Sequence, residues 1–109
     1  MNTEDVIRRL EQMREASLNR QSRLEKKVIH REEALSADFS EQAVELQNQE
    51  TMEQLMVQVQ TELRAIQAAF NRISDGVYDE CSRCKASIEP DRLIALPTTT
   101  LCASCAQAE

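Results

Sequence analysis

Apolar residues recur at steps of three and four along the first part of the chain, from about Thr3 to Leu35. The series, with Ser17 at one of its steps, is Val6, Leu10, Met13, Ser17, Leu24, Val28 and Leu35. This spacing places the residues on one side of an α-helix and leaves charged residues on the other sides. The sequence therefore predicts a long amphipathic helix with a narrow apolar seam.

A second series with the same period follows a break near residues 36–40. Its members are Met52, Leu55, Val59, Leu63, Ile66, Phe70 and Ile73. Asp38, with Glu41 three residues later, is a plausible cap for the start of this helix. The only glycine, Gly76, follows Ser74 and Asp75 and predicts the helix end, because glycine readily adopts the left-handed conformation found there.

Two helices of similar length with a short break between them can bury their seams by folding back on each other. We therefore predict a mainly α fold, with a long antiparallel helical hairpin (a coiled coil) over residues 1–75. Its tip lies near residues 36–43. A small four-cysteine zinc-finger module follows over residues 76–109.

The four cysteines form two C-x2-C pairs, Cys81 with Cys84 and Cys102 with Cys105, separated by seventeen residues. This spacing is typical of a zinc site in which each pair turns like a knuckle toward one tetrahedral ion. Four protein ligands leave no position for water or substrate, so we predict one structural Zn²⁺. Two redox-active pairs or unrelated thiols are the alternatives. Ile88, Leu93, Ile94, Leu96 and Leu101 are the predicted core of this module, and Pro90 and Pro97 shape its loops.

The net charge of −6 is unevenly distributed along the chain. Residues 38–75 carry two Lys or Arg against seven Asp or Glu, whereas residues 1–37 carry eight against seven. An acidic chain gains little from a nucleic-acid backbone, which favours a protein partner over direct sequence-specific DNA binding. No hydrophobic run suits a signal peptide or a membrane span, so we expect a cytoplasmic protein without a membrane partner.

The sequence contains no motif for a catalytic nucleophile, a phosphate-binding loop or a helix-borne metal pair, so we predict no catalytic residues and no enzyme. The only histidine, His30, lies in a charged helical stretch and is interpreted as a surface residue.

At the predicted tip, Asp38 and Glu41 are explained locally as a helix cap and a first-turn acid. The same two carboxylates could also act on a partner.

Together these motifs resemble the DksA/TraR family of bacterial transcription factors. The stretches that carry the resemblance are Asp75-Gly76-Val77-Tyr78, Cys81-Ser82-Arg83-Cys84, Arg92-Leu93-Ile94-Ala95-Leu96-Pro97 and Leu101-Cys102-Ala103-Ser104-Cys105. The tip, Asp38-x-x-Glu41-x-Ala43, is similar to the family's Asp-x-x-Asp-x-Ala tip, with Glu in place of the second Asp. Asp79 and Lys85 stand where many members have glycine.

The resemblance implies a factor that binds RNA polymerase through its secondary channel. The family's tip carries over as Asp38, Glu41 and Ala43, which would act near the active centre. We expect little response to guanosine tetraphosphate, because few basic residues are available to bind its phosphates. A zinc-capped coiled-coil adaptor and, from another class, a zinc-ribbon nucleic-acid binder remain the alternative functions.

Overall fold

The computed structural model describes residues 3–34 and 42–108, and side chains within residues 3–27 and 51–108. Two long helices, α1 (Thr3–Ala34) and α2 (Gln42–Ser74), precede two short ones, α3 (Pro90–Ala95) and α4 (Ala103–Gln107). The described residues contain no β-strand, only an isolated antiparallel bridge between Glu80 and Ser87. The predicted mainly helical fold class is confirmed. None of the helices in this part of the chain has the length and apolarity that crossing a bilayer requires.

Helix α1 follows its predicted seam. It has 32 residues, which at 1.5 Å per residue gives about 48 Å, and Glu4 and Asp5 lie in its first turn, where the helix dipole favours acids. The buried side chains are those of the predicted series, with exposed fractions of 8% or less: Val6, Leu10, Ser17 and Leu24. The last two members, Val28 and Leu35, lie outside the described side chains.

Helix α2 follows its seam with one exception. Val59 and Ile66 are 2% and 0% exposed, as predicted, but Leu55 is 38% exposed, so its assignment to the seam was wrong. Met56 is only partly exposed and lies four residues after Met52 and three before Val59. The path from Met52 to Val59 can pass through position 55, by a step of three and then four, or through position 56, by a step of four and then three. Both paths keep to one face of a helix, so the periodicity did not distinguish the two positions.

The chain divides into two compact units. The first contains Met1–Arg14 and Arg64–Glu109, and the second contains Glu15–Leu63. In the first unit, the start of α1 and the end of α2 share one core with the cysteine-bearing segment. The buried members of this core are Val6, Leu10, Ile66, Ala69, Tyr78, Cys81, Ile88, Leu93 and Cys102. The boundary inferred from the sequence between residues 75 and 76 stays a prediction.

The second unit buries a thinner set of side chains. Ser17, Leu24 and Val59 are its buried residues among the described side chains, whereas Leu18 and Val57 are 47% and 58% exposed. A seam with a serine among its buried positions removes little apolar area from water. Most of the hydrophobic stabilisation of the described residues therefore comes from the first unit.

The end of α2 is closed by the glycine that the sequence singled out. Gly76 has a φ of 76°. Its N–H donates to the Ile73 carbonyl at 3.1 Å, and the Val77 N–H donates to the Arg72 carbonyl at 2.9 Å. This pair of bonds is the Schellman arrangement. The predicted helix end is confirmed, and it fixes the direction in which the chain leaves α2 toward the first cysteine.

Two of the five residues predicted to form the core of the finger are exposed. Ile88 and Leu93 are 2% and 0% exposed, and Leu101 packs against the same core. Ile94 and Leu96, in contrast, are 60% and 50% exposed, so their assignment to the core was wrong. Helix α3 has only six residues. It turns Leu93 inward, and its immediate neighbour Ile94 consequently faces away from the core.

Candidate metal centre

The Sγ atoms of Cys81, Cys84, Cys102 and Cys105 all lie within 4.8 Å of one another. The sulfurs of Cys84 and Cys102 are 3.7 Å apart. A tetrahedral Zn²⁺ with Zn–S bonds of 2.3 Å separates its sulfur ligands by about 3.8 Å. A disulfide requires about 2.05 Å, and all four cysteines are free. The spacing therefore fits one tetrahedral metal ion and does not fit two disulfide pairs.

The first pair of cysteines lies on a tight turn closed by backbone hydrogen bonds. The Lys85 N–H donates to the Cys81 carbonyl at 3.0 Å, and the Cys81 N–H donates to the Ala86 carbonyl at 2.8 Å. Lys85 has a φ of 66°, the left-handed conformation that usually calls for glycine. This is one of the two positions where the sequence departs from the glycine common in the family. Here the backbone keeps the glycine-like turn although the residue is lysine.

The second pair is presented by α4. Cys102 precedes the helix as its N-terminal cap residue, with extended backbone, and Cys105 lies inside it. The Glu89 carboxylate accepts a hydrogen bond of 3.4 Å from the Ala103 N–H in the first turn. A backbone hydrogen bond of 2.8 Å from the Ser82 N–H to the Thr100 carbonyl joins the two cysteine turns. Residues from both pairs are thereby held in one site.

The surroundings of the thiols favour an anionic cluster. The backbone N–H groups of Cys84 and Cys102 donate to the Cys81 sulfur and lower the pKa of Cys81 to about 5. Hydrogen bonds among the side chains of Cys102, Cys84 and Cys105 raise the pKa of Cys105 to about 12, because its proton is shared with the neighbouring sulfurs. A divalent cation can replace these shared protons, since metal ligation requires thiolates.

The donor set suits a structural zinc ion. Four thiolates in tetrahedral array are typical of structural zinc, and a filled coordination shell leaves no site for a substrate. Cys81 and Cys102 are 0% and 5% exposed and belong to the shared core, whereas Cys84 is exposed. The four cysteines are thus positioned to bind one zinc ion that stabilises the first unit.

Three side chains to which the sequence analysis assigned no structural role hold the metal-binding segment in place. Arg72 Nη2 donates to the carbonyls of Val77, at 2.9 Å, and of Glu80. The Tyr78 hydroxyl donates to the Pro97 carbonyl, and Arg92 Nε donates to the Leu101 carbonyl at 2.8 Å. Each of these bonds ends on a backbone oxygen of a loop that leads into or out of a cysteine pair. Sequence periodicity does not report such contacts.

The predicted tip cannot be placed beside these observations. Asp38 and Glu41 lie outside the described residues. Ala43 belongs to α2, but its side chain, like that of His30, lies outside the described side chains. The roles assigned to Asp38, Glu41 and Ala43 therefore stay predictions.

Two family models together match almost the whole chain. Residues 76–109 match the prokaryotic dksA/traR C4-type zinc finger, and residues 7–73 match the DnaK suppressor protein-like N-terminal domain. The chain belongs to the DksA/TraR family. The resemblance noted in the cysteine motif is thus confirmed, and the C4 description agrees with the geometry of the four sulfurs. The DksA/TraR family comprises transcription-regulating factors and not enzymes, in agreement with the prediction from the sequence.

The individual relatives match this chain either over a short stretch or at low sequence identity. An uncharacterized protein of Aquifex aeolicus (strain VF5) is 44% identical over 45 residues, which are 41% of this chain and 31% of that protein. This chain therefore matches less than a third of that relative. The structure of transcription factor DksA2 from Pseudomonas aeruginosa is similar with a TM-score of 0.62 and 21% identity, over 91% of this chain and 81% of DksA2. The likeness to DksA2 shows a shared DksA/TraR fold.

Proposed function

We propose that this protein regulates transcription by binding RNA polymerase in the bacterial cytoplasm. The observation that supports this most directly is that the two DksA/TraR family models cover both the helices and the zinc finger. The chain therefore matches the helical part of the family as well as its zinc finger. Four thiols poised for zinc also suit a reducing compartment.

In this proposal the two long helices enter the secondary channel of the polymerase, and the segment around Asp38, Glu41 and Ala43 reaches the active centre. Residues 38–75 carry a net charge of −5, from two Arg against seven acids. Carboxylates near a catalytic magnesium ion can alter its surroundings by charge alone. Because Glu41 is one methylene longer than the usual aspartate, its carboxylate would approach the ion from a different position.

The finger is poorly suited to be a nucleic-acid-binding module. Its basic residues are Arg83, Lys85 and Arg92, against five acids in residues 76–109. Arg92 Nε is already engaged by the Leu101 carbonyl. Affinity for a phosphate backbone grows with the number of cations that contact it, and two exposed ones provide little. The proposal therefore assigns the finger to protein contact.

We also propose that the protein acts without guanosine tetraphosphate. A ligand with two pyrophosphate groups needs several converging Lys or Arg side chains. Arg64 and Arg72 are the only basic residues between 41 and 73. The Arg72 guanidinium donates to two backbone carbonyls just after α2, so it is not available to bind a phosphate group.

Purified core RNA polymerase and promoter DNA test this function. The protein should bind the core enzyme at micromolar concentration or below and change the lifetime of open complexes at sensitive promoters. Asp38→Asn should reduce the effect on transcription while affinity stays within about threefold, since Asn also caps helices well. Asp75→Asn, which removes one acid at the other end of α2, is the matched control. If the protein binds promoter DNA but not the polymerase, the proposed function is wrong.

A further inference from the structure

A small apolar groove lies in the first unit, between the beginning of α1 and the finger. It is lined by Asp5, Val6, Arg9, Leu93, Ile94 and Pro97 and has a volume of about 110 Å³. Four of these six residues are apolar. An apolar protein cavity of about 150 Å³ holds a benzene molecule, so the groove has room for one aliphatic side chain.

Ile94 sets this groove apart from the scattered apolar residues of an ordinary surface. It is 60% exposed although it adjoins Leu93, which is fully buried. A single exposed isoleucine would need no explanation. Here, however, Ile94 lines an apolar groove together with two core residues, Val6 and Leu93. Filling such a site removes water from both surfaces at once.

The rim of the groove carries one acid and one base, Asp5 and Arg9. The Asp5 carboxylate is 3.7 Å from the Arg8 guanidinium, an exposed pair one turn apart. Arg9 forms no ion pair with any residue that the structure describes. Asp5 already has an ion-pair partner in Arg8, so the Arg9 guanidinium is available to an occupant with a carboxylate next to its apolar side chain.

A second copy of this chain does not fit the groove well. Two chains with a net charge of −6 each repel one another. A stable dimer also buries on the order of 800 Å² per partner, far more than one side chain in one groove supplies. The groove suits a larger partner that touches the protein elsewhere and uses this site as one anchor among several contacts.

We propose that this groove binds an aliphatic side chain from an acidic segment of RNA polymerase, with Arg9 pairing to the neighbouring carboxylate. The inference rests on the proposed function and adds a specific contact to it. Ile94 and Arg9 are assigned to docking. Both residues lie in the unit that contains the zinc site.

The chain provides a matched pair of variants for a direct test. Ile94→Glu places a charge in the groove and should weaken binding to core polymerase about tenfold or more, because the aliphatic contact is lost. Leu96→Glu makes the same change at a residue that is 50% exposed on the same segment but does not line the groove. It should stay within about twofold of the unaltered protein. Zinc content and the midpoint of thermal unfolding should be unchanged in both variants.

The charge can be tested separately. Arg9→Glu should weaken binding at low salt, and its difference from the unaltered protein should shrink as salt is raised, because exposed ion pairs are screened. Arg9→Lys, which keeps the positive charge at the same position, is the control and should stay within about twofold of the unaltered protein.

The outcomes distinguish the two proposals. If the unaltered protein does not bind polymerase, the proposed function falls and the docking site falls with it. If it binds and Ile94→Glu binds equally well, the groove is not a docking site, while the proposed function stands. Sedimentation of the protein alone covers the remaining case. A dimer that Ile94→Glu dissociates would assign the groove to a second copy and overturn its assignment to the polymerase.

Discussion

The hydroxyl of Tyr78, just ahead of the first cysteine pair, donates a hydrogen bond of 2.7 Å to the carbonyl of Pro97, just ahead of the second. Tyr78 is 4% exposed, so neither partner can turn to water if the bond is lost. The bond joins two loops nineteen residues apart in sequence and holds them at the separation that the four sulfurs require.

Tyr78→Phe should lower the free energy of unfolding of the zinc-loaded protein by about 1–2 kcal/mol, since it leaves the Pro97 carbonyl buried without its donor. Denaturant titration at pH 7 measures this. Burial raises the pKa of Tyr78 above its usual value, although Arg72 opposes the shift. The unfolded chain therefore loses the phenol proton first, and the contribution of Tyr78 is complete below about pH 10 and declines as pH rises further. The difference between the two proteins should narrow in that range. A difference that stays constant to pH 11 would contradict the shift.

One zinc ion per chain is expected by elemental analysis, and Cys81→Ser or Cys102→Ser should release it and loosen residues 76–109. Losing one of four ligands leaves an incomplete coordination shell and a core residue replaced by a polar one. Amide hydrogen exchange would locate the loosening. Ser82→Ala, between two ligands but with an exposed side chain, is the control and should keep its metal.

Zinc affinity should fall as pH is lowered from 8 to 5. Protons compete with the metal for the sulfurs, and the raised pKa of Cys105, about 12, means that at least this thiol must give up a proton on binding at neutral pH. Competition with a zinc chelator of known affinity measures the slope. A zinc affinity independent of pH would show that the thiols are already ionised without metal.

Arg72→Met should destabilise the protein by about 2–3 kcal/mol, because the carbonyls of Val77 and Glu80 lose a shared charged donor while the side-chain volume is kept. Arg20→Met, at an exposed position of α1, removes a positive charge without such contacts and should change stability by less than about 0.5 kcal/mol. Thermal unfolding of the two variants side by side is the measurement. Equal effects would mean that charge alone matters.

Lys85→Gly and Gly76→Ala should shift stability in opposite directions. Both residues have positive φ, at 66° and 76°. Glycine at position 85 relieves a strained side-chain conformation and should stabilise the protein by about 1 kcal/mol, whereas alanine at position 76 should destabilise it by about the same amount. No atom lies within 4 Å of the Cβ position at Gly76, so backbone conformation accounts for the cost. Unfolding midpoints of both variants provide the check.

The sequence predicted the cluster of four cysteines and the helix end because both depend on local chemistry. A C-x2-C pair brings two thiols together, and a lone glycine after a long helical pattern marks a stop, wherever the rest of the chain lies. The spacing of apolar residues also placed Leu10 and Ile66 in the core. Each belongs to a series of apolar residues that repeats the helical period several times.

In the finger, sequence reasoning failed because the periodic signal is short. Six residues of α3 cannot show which side of the helix faces inward, and Ile94 was therefore assigned to the core together with Leu93. The interactions of Arg72 and Tyr78 depend on where distant carbonyls come to lie, which side-chain chemistry alone does not specify. Tyr78 carried a weak signal, because it belongs to the family-like Asp75–Tyr78 stretch.

The shared core of Val6 and Leu93 has a consequence for the timing of biosynthesis. A ribosome adds roughly 5–20 residues per second, so Val6 leaves the exit tunnel roughly 4–17 s before Leu93 does. During this interval α1 can form its backbone hydrogen bonds, but the residues that cover its first turns have not yet left the tunnel. Tight packing of this core must therefore wait until the finger has emerged and captured zinc, long after α1 has been made.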